Sequence, residues 1–257
     1  MPSPEPKALT APSPVNQLVD LLLIQLANWR WSWRAMVVLG IAAPTLSVAL
    51  LSRVVGDRPD DFLQALLAGN VVLALMFENQ NKVASHFAYM RVTGTLTFFA
   101  GLPIRQSLVV AATALAFFVL SIPAFACTAL LGAALLDITL HPSPLLIVVA
   151  PCVAIAVSGI GAVIGASARS FEEVGSLALL VNLVLLAAGP VIVPASQVPD
   201  LVDAIGHLNP AVYAASALRQ ALFGPVTDQV IVDLAVLAAV GIGTMVIASV
   251  VLRRRMR

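Results

Sequence analysis

Apolar residues along this chain do not alternate with polar ones; they gather in long runs separated by clusters of charge. The longest stretches free of Asp, Glu, Lys and Arg are 35–52, 62–77, 106–136, 138–168, 174–199 and 234–252. A bilayer core about 30 Å thick takes about 20 apolar helical residues to cross. The runs therefore predict six membrane-spanning helices, at 35–53, 62–80, 107–131, 145–167, 174–193 and 231–252. The second run is the shortest and ends in the polar string Glu78-Asn79-Gln80-Asn81-Lys82, so by length alone it also reads as a re-entrant segment. His141, Pro142 and Pro144 place a turn between the third and fourth spans.

Composition removes the soluble alternative. Of 257 residues, 60% are hydrophobic and 11% charged, with mean hydropathy +0.99, whereas soluble domains carry about 25% charge. The net charge of +1 gives no sign of a nucleic-acid partner. The placement of the 14 basic residues is more informative. With the N-terminus inside, Lys7, Arg30, Arg34, Lys82, Arg91, Arg105, Arg169, Arg253, Arg254, Arg255 and Arg257 fall on the cytoplasmic side, and only Arg53, Arg58 and Arg219 outside. This asymmetry favours six spans with both termini cytoplasmic, in the inner (plasma) membrane. Cys127 and Cys152 lie in apolar runs and suggest neither a disulfide framework nor a metal site. The Pro-rich opening MPSPEPKALTAPSP lacks the apolar core of a signal peptide.

Three regions divide the chain: a disordered tail at 1–14, an amphipathic interfacial helix at 15–33, and a six-helix membrane domain at 34–257. In the interfacial segment Val15, Leu18, Leu22, Leu26, Trp29 and Trp33 recur at helical intervals. Trp29, Trp31 and Trp33 stand beside Arg30 and Arg34, as residues at headgroup level do. The segment lies in the membrane plane or extends the first span as an anchor. Near the other end, 194–222 holds two helix starts, at Pro199-Asp200 and at Asn209-Pro210. Two short helices that dip into the outer leaflet and return, or that lie on its surface, fit this pattern.

The segment from Lys82 to Gln106, between spans two and three, is apolar for a cytoplasmic loop. Gly94 and Pro103 bound a short helix at 95–100 that carries Leu96, Phe98 and Phe99, a surface of the kind that partners cover. Arg91-x-x-Gly94-Thr95-Leu96 followed by Gly101-Leu102-Pro103-Ile104-Arg105 resembles the cytoplasmic signature of ABC-2-type exporter permeases. Pro194, Pro199, Asn209-Pro210, Tyr213 and Arg219 resemble the re-entrant helices that precede the sixth span in that family. Thr97 stands where the family usually carries an acidic residue.

The resemblance implies an all-α integral membrane protein with an in-plane N-terminal helix, six transmembrane helices, a coupling helix between the second and third, and a re-entrant hairpin between the fifth and sixth. It implies a permease subunit that exports drugs, lipids or polysaccharide using a separate ABC ATPase, in concert with a second permease copy or homologue. Arg91, Gly94, Thr95, Leu96, Phe98, Phe99, Pro103 and Arg105 would couple the two subunits. No Gly-Lys dipeptide occurs, so no Walker A loop is possible in this chain. ATP and Mg would belong to the partner, with no cofactor on this chain and no catalytic group. Gly159, Gly161 and Gly165 lie within an apolar span and suggest close helix–helix approach instead. Asn70, Glu78 and Asn182 are polar positions within the spans, where such groups tend to face a cavity. They line a substrate path, or Glu78 simply sits beside Lys82 at headgroup level. A secondary transporter, or a membrane assembly protein without an ATPase, is the rival reading; internal repeats around mid-membrane charges would favour it.

Overall fold

The structure, a computed structural model, describes residues 13–28, 33–55, 59–101, 104, 106–194 and 197–255. Eleven α-helices and one π-helical turn make up these residues, with no strand among them. In chain order they are α1 (Pro14–Asn28), α2 (Trp33–Val55), α3 (Asp60–Leu75), the π turn (Met76–Asn81), α4 (Lys82–Val92) and α5 (Thr95–Ala100). There follow α6 (Gln106–Leu136), α7 (Leu146–Ser167), α8 (Phe171–Ala187), α9 (Asp200–Gly206), α10 (Pro210–Phe223) and α11 (Gln229–Arg255).

Four helical stretches among the described residues are long and apolar enough to cross a bilayer: Asp60–Val92, Gln106–Leu136, Leu146–Ser167 and Gln229–Arg254. They correspond to the second, third, fourth and sixth expected spans. The first and fifth correspond to α2, of 23 residues, and to α8, of 17, the latter at the short limit for a crossing.

The second span differs most from expectation. The polar string does not end it; α3, the π turn and α4 form one unbroken helix of 33 residues. Here the protein itself supplies hydrogen-bond partners to the amide nitrogens of Asn79 and Gln80 and to the Asn81 amide oxygen. At a rise of 1.5 Å per residue the helix is about 50 Å long. Lys82–Val92, expected in a cytoplasmic loop, is therefore its last part.

Helix α7 packs against α4, the π turn and α11, and small residues allow it. A Cβ added at Gly161 would collide with the Gln80 carbonyl, and one at Gly165 with the Ala84 carbonyl. The close approach expected of this glycine series is present. Around α7 lie two large apolar clusters. One joins α3, α10 and α11 through Leu66, Leu67, Val71, Leu218 and Leu237. The other joins α4, α5 and α6 through Phe87, Leu96, Val110 and Phe117.

Helix α1 packs along α6 through Leu21, Val109 and Ala112. The predicted stripe is displaced by about one residue. Gln17, Leu21 and Gln25 are the buried positions, Leu18, Leu22 and Leu26 flank them, and Val15 is exposed. Polar groups draw the face round, because Gln25 finds partners in the bundle. Trp29, Trp31 and residues 1–12 of the expected tail lie outside the described residues, as does the Trp33 side chain.

Candidate functional site

At the end of the long helix, Gly94 adopts φ +75°, a left-handed turn that a glycine takes without strain. The turn separates α4 from α5, whose bounds match the expected short helix. The Gly94 carbonyl accepts from Phe98 N at 3.1 Å, and Gly101 N donates to Thr97 O at 3.2 Å. Thr93 Oγ1 donates to Tyr89 O at 3.0 Å and lies 2.9 Å from Thr95 Oγ1. Arg91 Nη1 donates to Ala168 O at 2.5 Å, which ties α4 to the turn between α7 and α8. In that turn Ser170 Oγ accepts from Glu173 N at 3.2 Å and caps α8.

The residues expected to couple to a partner divide into two sets. Leu96 is buried in the cluster of Val83, Phe87 and Val110, and Phe99 packs partly against it. Part of the apolar surface expected to face a partner is thus covered within the chain: α4 and α6 hold one face of α5. The opposite face carries Phe98, 66% exposed, and the same end of α4 presents Tyr89 and Val92 at 58% and 74%. Sequence reading missed the latter two, although they stand three apart and so share a helix face. Pro103 and Arg105 lie outside the described residues.

Midway along the long helix the polar string is folded into the interior. Glu78 is 5% exposed and pairs with Lys82. Asn79 Nδ2 donates to Ser121 Oγ of α6 at 3.2 Å. Gln80 Nε2 donates to Asn182 Oδ1 of α8 at 2.5 Å, and Asn182 Nδ2 donates to Asn81 Oδ1 at 3.0 Å. One turn on, His86 Nε2 donates to Gln25 Oε1 at 3.0 Å, and Gln25 Nε2 donates to Thr113 Oγ1 at 3.1 Å. The π turn thus sends the consecutive side chains of Asn79 and Gln80 to α6 and α8.

Of the three expected path residues, Asn182 joins this network, Glu78 meets Lys82, and Asn70 is remote. Asn70 is wholly buried, and its Nδ2 donates to Leu66 O at 2.9 Å. The residues do not converge on one lining. Glu78 does stand beside Lys82, within the protein interior.

At the hairpin end, Asn209 Oδ1 accepts from Ala211 N at 2.9 Å, with Pro210 opening α10. Its Nδ2 donates to Leu185 O and Ala188 O, which joins α10 to the end of α8. Pro199 occupies the N-cap of α9 rather than the first turn, and Tyr213 Oη donates to His207 O at 2.7 Å. Helix α10 is not peripheral: Ala214, Ala217, Leu218 and Ala221 are buried against the core. Arg219 and Pro194 line a cleft beneath it. Asp233 of α11, which sequence reading passed over, is wholly buried and accepts from Gln229 at 3.1 Å and Gln220 at 3.3 Å. A lone carboxylate at the edge of the last apolar run was the available signal. Among the described residues no group of three or more His, Cys, Asp or Glu could hold a metal.

An all-helical bundle with several apolar crossing-length helices and an internal polar network is a multi-pass membrane protein. Residues 10–223 match the family described as ABC-2 type transporter, and the chain belongs to that family as the transmembrane component of an ABC transporter. No curated protein sequence matches it.

Proposed function

We propose that the chain is the permease subunit of an ABC exporter, moving an amphipathic or lipid-linked substrate out of the cytoplasm with ATP hydrolysed by a separate ATPase subunit. The observation that carries this reading is α5. It is anchored by Leu96 to the same core as α4 and α6, yet turns Phe98 outward. A push on Phe98 would reach the long helix through packed side chains and through the Arg91–Ala168 bond. The family membership supports an ATPase partner and weighs against a secondary transporter or an assembly protein.

In this reading α2 and α8 complete six spans, α1 lies in the interface, and α9 and α10 form the re-entrant hairpin. Both termini face the cytoplasm of an inner-membrane protein, which works with a second permease copy or homologue. ATP and Mg bind to the ATPase, and this chain performs no catalysis. Reconstitution with the ATPase in proteoliposomes tests the proposal. ATP should drive a labelled lipid-linked substrate in one direction, and ATP hydrolysis should rise when the permease is present. No ATP-dependent movement of lipid, drug or glycan probes, with hydrolysis indifferent to the permease, would overturn it. Single cysteines in place of His141 and Gln197 should react with an impermeant reagent from outside, and one in place of Arg91 should not.

A further inference from the structure

Beneath the hairpin are two adjoining clefts, of about 220 Å³ and 250 Å³. Arg219, Ser216 and Gln229 line both. The first also presents Asp203 and Tyr213, with apolar walls from Ala65, Val191 and Val212. Arg219 is half-buried and, among the described residues, forms no salt bridge within 4 Å. It acts on Asp233 electrostatically, while the hydrogen bonds to that carboxylate come from neutral groups, the Ser216 hydroxyl and the amides of Gln220 and Gln229. Asp203 faces only His207, at 4.0 Å and with both side chains well exposed, a pair of little strength. The first cleft therefore sets the Arg219 guanidinium, which forms no salt bridge within 4 Å among the described residues, beside the Asp203 and Asp233 carboxylates that line the same cleft, and Asp61 lines the second.

We infer that this cleft binds a small zwitterionic group carrying a phosphate and an ammonium. Arg219 takes the phosphate, since its forked donors suit phosphate oxygens. Asp203 and the Tyr213 ring take the ammonium, by charge and by cation–π attraction, in the field of Asp233. Liquid water occupies about 30 Å³ per molecule, so the first cleft has room for roughly seven heavy atoms, close to the size of phosphoethanolamine. A phospholipid headgroup in the outer leaflet and a soluble phosphoamine share this chemistry.

The test uses the full-length chain in phosphatidylglycerol nanodiscs, without ATP or ATPase, so it stands or falls apart from the exporter reading. Dihexanoyl phosphatidylethanolamine and free phosphoethanolamine are titrated, with ethanolamine and inorganic phosphate as controls. Saturable binding of the lipid or of both zwitterions is expected, at least tenfold tighter than either control. Binding of the lipid alone identifies a membrane source, and binding of both identifies recognition of the headgroup itself. Arg219→Gln and Asp203→Asn should each weaken binding tenfold or more at matched folded fraction by size exclusion, and Asp203→Asn, a change at an exposed side chain, should leave thermal unfolding unchanged. Absence of saturable binding by either zwitterion, or binding that both variants leave intact, would overturn the assignment.

Discussion

The two ends of the long helix are built on opposite plans. At the α3 end, the hairpin folds inward: α10 is buried among α3, α7 and α11, and the polar groups around it are engaged or enclosed in a cleft. At the α4 end, α5 is held by one face only and leaves Phe98, Tyr89 and Val92 exposed. The α3 end is closed by the Asn209 cap and packed alanines, whereas the α4 end keeps an apolar face uncovered. Between them the π turn joins α3 and α4 in one unbroken helix and bonds it to α6 and α8.

The contrast within α5 is the sharpest place to break this account. Leu96→Asp would bury a charge with no partner in the Phe87 cluster and should destabilise the fold by about 3 kcal/mol or more. A fall in the folded fraction by fluorescence-detected size exclusion would report it. Unchanged folding would mean that α5 is not seated on the core.

The link between the ends comes next. Lys82→Met leaves Glu78 buried and unpaired, and loss of one partner of a buried pair costs about 3 kcal/mol. Adding Glu78→Gln should recover most of the loss in thermal unfolding. A variant with both changes that is no better than Lys82→Met alone would show that the pair does not join those turns.

At the hairpin end the effect is smaller. Asn209→Ala removes the cap of α10 and two bonds to the end of α8, at about 1–2 kcal/mol. Hydrogen exchange should rise in α10 and at the end of α8 but not in α5. Exchange spreading to α5 would blur the distinction between the two ends.

Much of this organisation is legible from local sequence. Runs without charge locate the long helices, Asn209-Pro210 marks the start of α10, and Gly94 marks the turn into α5, because each depends on backbone chemistry within a few residues. Contacts between distant segments leave no such mark. The string Glu78–Lys82 looks like a helix end until Ser121 and Asn182 are brought beside it. Leu96 and Phe98 are equally apolar in sequence, and only the packing of α6 separates the buried one from the exposed one. The buried face of α1 was likewise displaced by Gln25, whose partners His86 and Thr113 lie 61 and 88 residues away.

Phe98 carries the central claim, that the exposed face of α5 is where an ATPase docks. Phe98→Asp changes a residue that is 66% exposed, so it should leave folding and thermal unfolding unaltered. A charge placed in an apolar interface and left unpaired there weakens association by several kcal/mol. The decisive measurement is the affinity of the purified permease for its ATPase subunit, wild type against Phe98→Asp, at matched folded fraction. A hundredfold or greater loss of affinity, together with loss of permease-stimulated hydrolysis, is the predicted result; equal affinity in a well-folded variant would contradict the account.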